Sequence, residues 1–176
     1  MKREFVSLSP QEALHVAIFV EERNAEIYRQ FAEMFAEFRD PESLEIAEAF
    51  WDMAKEERQH GTRLQALYFE RYGNRACVVT EEDIRELIEV PNMENGEIFA
   101  ITRMQASPAP RRKALEIALR AEESALRYYT RLAELTVDAD LRAAYHEFAN
   151  FERDHTLMLT RKMEEEGRIT RDPDLA

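Results

Sequence analysis

The sequence predicts an all-α protein, a four-helix bundle with a long crossover between helices 2 and 3. Three observations lead there. Only 4 Gly and 6 Pro occur in 176 residues, too few turn residues for a β-rich fold. Four stretches carry apolar residues at three- and four-residue steps, the period of an α-helix with one buried face. Start and stop signals divide the chain into four segments of roughly thirty residues, each about 40 Å long at 1.5 Å per residue.

Ser9-Pro10-Gln11-Glu12 opens the first helix: a serine cap, a proline at the first helical position and a Glu placed to close a capping box. The helix runs to about Phe38. Asp40-Pro41-Glu42 ends it and caps a second helix that reaches Tyr72-Gly73, where the glycine acts as the stop. Ser107-Pro108 is expected to open a third helix ending near Thr136. Asp138 or Asp140 starts a fourth, expected to stop at Gly167. The connection from Gly73 to Ser107 is the long one, with a short helix expected from Thr80 (Thr80-Glu81-Glu82-Asp83 has capping-box form) and another around Glu97 to Met104. The domain is read as residues 1–167, followed by a loose tail, 168–176.

A net charge of −12 and a pI of about 4.9 disfavour a phosphate backbone as partner, and no basic patch with interleaved aromatics offsets them. Nucleic acid is therefore not expected. Cys77 is the only cysteine, which excludes an intrachain disulfide and any four-cysteine metal site within this chain. Met1-Lys2-Arg3-Glu4-Phe5 opens no apolar leader and no apolar run approaches 18 residues, so no membrane insertion and a cytoplasmic setting are expected.

Each apolar stripe is interrupted near its middle by a carboxylate or an imidazole. Glu21 breaks the stripe of Leu14, Ile18, Ala25 and Tyr28; Glu57 and His60 break that of Phe50, Ala54 and Leu64. Glu122 interrupts Leu115, Ala118, Ala125 and Tyr129, while Glu152 and His155 interrupt Tyr145, Phe148 and Leu159. An internal repeat relates them. Glu21 and Tyr28 recur 101 residues later as Glu122 and Tyr129, and Glu57 and His60 recur 95 residues later as Glu152 and His155. Two copies of one helix pair would bring these groups to a single level. Four buried carboxylates repel one another and each resists desolvation, but two divalent metals cancel their charge and one neutral imidazole completes each set. Glu and His together suit iron or manganese better than magnesium or a closed zinc site. The pattern matches that of di-iron and di-manganese carboxylate bundles. Tyr28 and Tyr129 lean toward the N-terminus of their helices, so each hydroxyl can reach a ligand carboxylate.

Spacing alone would not carry this, because 28 of the 176 residues are Glu. Glu12-x-x-His15 has the right spacing but lies off the stripe in the first turns of its helix, and His146 is likewise off-stripe. Glu22, Glu56 and Glu123 adjoin the candidate ligands yet face about 100° away, toward solvent or a neighbouring helix edge. Trp51, Phe19, Phe31, Phe69 and Phe151 read as packing between helices or subunits, and Cys77 as an incidental thiol.

With these residues in place, the sequence resembles the ferritin-like superfamily, and within it the rubrerythrin-like di-iron proteins, over roughly residues 8 to 166. The opening Leu8-Ser9-Pro10-Gln11-Glu12-Ala13-Leu14 with Glu21-Glu22 also resembles the ferritin-like domain that some bacterial proteins fuse to a membrane iron transporter. The resemblance implies a non-haem di-iron centre that reacts with O2 or H2O2, a cytoplasmic setting and a homodimer. Typical rubrerythrins carry a four-cysteine rubredoxin domain, which is not found in this sequence, so electrons are expected from an external donor. They also carry a further Glu three residues after the third-helix ligand; here that position is Ala125, and no ligand role passes to Glu94 or Glu97 in the crossover.

The expected function is that of a non-haem di-iron oxidoreductase. Two Fe ions, or Mn or a mixed Fe/Mn pair, are held by Glu21, Glu57, His60, Glu122, Glu152 and His155, with either Glu57 and Glu152 or Glu21 and Glu122 bridging, and react with O2 or H2O2. An iron carrier or sensor without turnover and a di-iron oxygenase of an organic substrate are the rival readings.

Overall fold

The computed structural model describes residues 8–76, 79–80, 82–84, 88 and 109–169. Four long helices dominate them: α1 (Pro10–Phe38), α2 (Pro41–Tyr72), α3 (Pro110–Leu135) and α4 (Ala139–Ile169). The protein is an all-α, ferritin-like bundle.

Local chemistry sets most of the boundaries. Ser9 and Glu12 form a complete capping box at α1, and the Asp40 side chain accepts from the Ser43 amide to cap α2. Both remove orphan N–H groups from a helix start. Gly73 terminates α2 at φ 60°, ψ −142°, a backbone conformation that side-chain-bearing residues rarely adopt. Thr80 and Asp83 exchange capping hydrogen bonds before a short helical turn at 82–84, as the sequence predicts. Two expectations need correction. Helix α3 starts at Pro110, after a residue with no side-chain cap, rather than at Ser107-Pro108: Pro110 takes the first helical turn, where its missing N–H costs nothing. Helix α4 runs through Gly167 to Ile169. Gly73 is the one glycine at positive φ among the described residues, so Gly167 keeps helical geometry and does not act as a stop. The expected helix at Glu97 to Met104, Cys77, and the tail from residue 170 lie outside the described residues.

Side-chain contacts give the helix directions. Gln11 at the start of α1 donates to Tyr68 near the end of α2 at 2.7 Å. The Tyr128 hydroxyl, late in α3, donates to the carbonyl of Ala13, early in α1, at 2.9 Å. Arg111 at the start of α3 pairs with Glu166 near the end of α4 and reaches Asp40 at the start of α2. Thus α1 runs antiparallel to both α2 and α3, while α2 and α3 are parallel. Consecutive parallel helices cannot be joined by a tight turn, so the chain must return along the bundle, roughly 48 Å for the 32 residues of α2. That is the physical origin of the long crossover.

Two apolar clusters fill the interior at different levels. One gathers Leu14, Val20, Leu64, Tyr129, Leu141 and Phe148, with Ile84 and Ile88 of the crossover docked against it. The other gathers Tyr28, Phe35, Phe50, Met53, Leu115 and Leu159. A polar layer lies between them.

At one end of the bundle Arg111 ties three helix termini together through Glu166 and Asp40. Glu166 is buried, so Arg111→Ala removes a charged partner from a carboxylate that is screened poorly from its surroundings. The expected cost is about 1–3 kcal/mol, read as a lower urea midpoint with an unchanged slope.

Candidate metal centre

The polar layer is built from six side chains, two from each repeated helix pair's second helix and one from each first helix. Glu21, Glu57, Glu122 and Glu152 are all 0% exposed, and His60 and His155 are buried beside them. They fall into two groups whose possible ligand atoms all lie within 4.8 Å of one another: Glu21, Glu57, His60 and Glu152; and Glu57, Glu122, Glu152 and His155. Glu57 and Glu152 belong to both. The sequence left open which carboxylate pair is shared, and the geometry favours the pair on α2 and α4.

The two imidazoles both turn Nδ1 inward. His60 Nδ1 lies 3.3 Å from Glu21 Oε2 and 3.6 Å from Glu57 Oε2; His155 Nδ1 lies 2.9 Å from Glu57 Oε1 and 3.3 Å from Glu122 Oε2. The tyrosines act crosswise. The Tyr28 hydroxyl on α1 donates to Glu122 Oε1 on α3, and the Tyr129 hydroxyl on α3 donates to Glu21 Oε1 on α1. Each phenol anchors the carboxylate of the other helix because α1 and α3 are antiparallel, and each leaves the second oxygen of its Glu facing the cluster.

Several buried oxygens and one nitrogen in this layer make no hydrogen bond: Glu21 Oε2, both oxygens of Glu57, both of Glu152, and His60 Nδ1. Orphaned carboxylate oxygens in a dry interior are costly. Oxygen and imidazole donors aimed at common points, with a formal charge of −4, fit two divalent cations.

Electrostatics without cations are correspondingly strained. Burial, then the charge of neighbouring carboxylates, pushes Glu21 and Glu152 well above the usual carboxylate range. Glu57 shows the opposite balance: burial works to raise it, but the Glu21 carboxyl and the His155 and His60 imidazoles that face it prevail and hold it far below that range. Burial would lower the imidazoles, but the glutamate carboxylates that face them, by contact and by charge, raise His60 to about 9 and His155 to about 12. Burial and the nearby carboxylates raise both Tyr28 and Tyr129, which keeps them protonated donors.

The remaining expectations sort by position. Glu12 serves the α1 cap, His15 sits beside Tyr68 with ring centroids 6.4 Å apart, and His146, Glu22 and Glu123 are exposed. Phe31 is core, whereas Trp51 and Phe69 are exposed. Glu56 faces the edge of a neighbouring helix, one of the two placements expected of it. Although its side chain is 55% exposed, it reaches His155 Nε2 at 2.8 Å. Phe151, read as packing, stacks on the His60 ring at 4.6 Å and 14°. The signal for both was the 95-residue repeat, which equates position 56 with 151, but the repeat does not say which helix edge faces α4.

Proton linkage gives a test of the cluster. The metal-free fold binds more protons than the unfolded chain once pH exceeds the ordinary values of Glu21 and Glu152, 4.5. The stabilisation from His60 is complete below 6.5 and lost as pH rises through about 9. Chelator-treated protein is therefore expected to lose thermal stability from pH 6.5 to 9. Divalent cations must displace these protons, so their stabilising effect should grow over the same interval. Thermal melts with chelator or Mn(II) across that range check both slopes.

Comparison with known proteins places the architecture. The solved structure of a hypothetical protein from Pyrococcus furiosus superimposes with a TM-score of 0.67 at 21% identity, over 94% of each chain, a likeness of fold. No curated protein matches the chain. The family model described as Rubrerythrin matches residues 12–107, which span most of α1, all of α2 and the crossover that returns the chain to the start of α3. That match covers more than half of the sequence, and the chain belongs to the rubrerythrin family.

Proposed function

We propose that the protein is a non-haem di-iron oxidoreductase in which Glu21, Glu57, His60, Glu122, Glu152 and His155 hold two Fe ions, with Glu57 and Glu152 bridging and Glu21 and Glu122 terminal. The observation that carries this reading is the pair of four-residue groups sharing Glu57 and Glu152. Bound as Fe(II), the pair supplies two electrons, enough to reduce one H2O2 with two protons to two waters while both ions become Fe(III); O2 is the alternative oxidant. Carboxylate oxygens are hard ligands that stabilise the ferric state.

The chain's own groups position and insulate this chemistry. Tyr28 and Tyr129 restrain one oxygen of Glu122 and of Glu21, which fixes the terminal carboxylates while the bridging pair stays free of hydrogen bonds. The apolar clusters on either side exclude bulk water and raise the strength of every electrostatic contact between them. An external donor returns the electrons. The same proposal includes a cytoplasmic setting and a homodimer; Leu44, Trp51 and Phe69, exposed along α2, support a second copy packing there. Among the described residues, no helix is long and apolar enough to cross a membrane.

Anaerobic Fe(II) titration of metal-free protein, followed by stopped-flow mixing with O2 or H2O2, tests the reading. About two Fe(II) per chain and a fast ferric absorbance band are expected, the quicker oxidant identifying the substrate. Two ions without rapid oxidation would make the protein a carrier. Glu57→Ala and Glu152→Ala are each expected to abolish paired uptake, and unchanged uptake in either would remove the assignment of bridging ligands.

A further inference from the structure

The repeated helix pairs place equivalent ligands around the cluster, yet the residues behind the two imidazoles differ in kind. Behind His155 stands Glu56, whose Oε2 lies 2.8 Å from Nε2. The equivalent position behind His60 is Phe151, whose ring lies flat on the imidazole at 4.6 Å and offers no acceptor. The next layer differs too. The Arg63 guanidinium sits 5.5 Å from the centre of the Phe148 ring and 5.9 Å from that of Phe151, held there by Glu147 at 2.7 Å. Its equivalent on the other side is Met158. One imidazole therefore has an anion at its back, and the other has an aromatic ring overlaid by a cation that is already paired.

We propose that Glu56 is a positioning residue that makes the two metal positions unequal, so that the position formed by Glu57, Glu122, Glu152 and His155 binds first and holds its ion, while the position formed by Glu21, Glu57, Glu152 and His60 fills second and exchanges. The inference rests on the di-metal reading above and deepens it. A carboxylate accepting the Nε2 proton fixes the tautomer with the Nδ1 lone pair facing the cluster, restrains the ring, and raises its basicity as a ligand. Stacking on Phe151 restrains the His60 ring but does neither of the other two. The arrangement suits a site in which one ion stays as a fixed partner and the second is the one delivered or released.

The test is anaerobic titration of metal-free protein with Co(II), followed by calorimetry and by the visible d–d absorbance of each bound ion. The native chain is expected to take up two ions in two resolved stages. Glu56→Ala and Glu56→Gln should weaken the first stage by about 10- to 100-fold and leave the second within about twofold, with the alanine the more severe. Because Glu56 is largely exposed, the metal-free melting temperature should stay unchanged, which a merely structural role would not predict. Phe151→Glu, the reciprocal change, should tighten the second stage; if it does not fold, the two Glu56 variants still decide. Two ions bound in a single stage, or Glu56 variants that weaken both stages equally or neither, would overturn the inference while leaving the di-metal reading intact. Uptake of fewer than two ions by the native chain would remove both.

Discussion

Four glutamates with no exposed surface, at one level of a bundle whose ends are apolar, are the constraint on which the rest of this structure depends. Left to themselves, carboxylates in that position resist ionisation together and drive protons onto their neighbours. Every other feature of the layer answers that problem. Two phenols donate to it, two imidazoles turn a nitrogen toward it, and the unmet oxygens converge in two groups with two members in common. The family match and the fold likeness are consistent with this centre, while the donor set itself carries the argument for metal.

The symmetry of the bundle explains how such a layer is built economically. A helix carrying Glu and Tyr seven residues apart, placed antiparallel to its own repeat, lets each Tyr meet the other's Glu without any further sequence device. The same antiparallel arrangement makes α2 and α3 parallel and forces the crossover to run the length of the bundle, where Ile84 and Ile88 then cover one apolar cluster. Crossover and centre are two consequences of one topology.

The symmetry is obeyed by the six cluster residues and broken just behind them. Glu56 and Phe151 occupy equivalent positions and present a charge in one case and a ring face in the other. Cluster residues must match because both halves address the same pair of points. Residues behind them address a single imidazole each, so the two halves are free to differ, and that freedom allows two chemically similar positions to do different work.

Helix order, caps at Ser9 and Asp40, the stop at Gly73 and the six polar interruptions were all legible in the sequence, because each depends on spacing within one helix or on a residue's own backbone preference. The start of α3 lies two residues beyond the Ser107-Pro108 signal because two prolines stand close together and either can occupy a first turn. What only the tertiary structure decided was relative register: that Glu57 and Glu152 are the shared pair, that each Tyr serves the opposite helix, and that Glu56, set about 100° from the stripe, still reaches His155 across the gap to α4. Periodicity along one helix defines a face but says nothing of the neighbour's distance or rotation. Those follow from how four helices pack against each other around a layer of like charge.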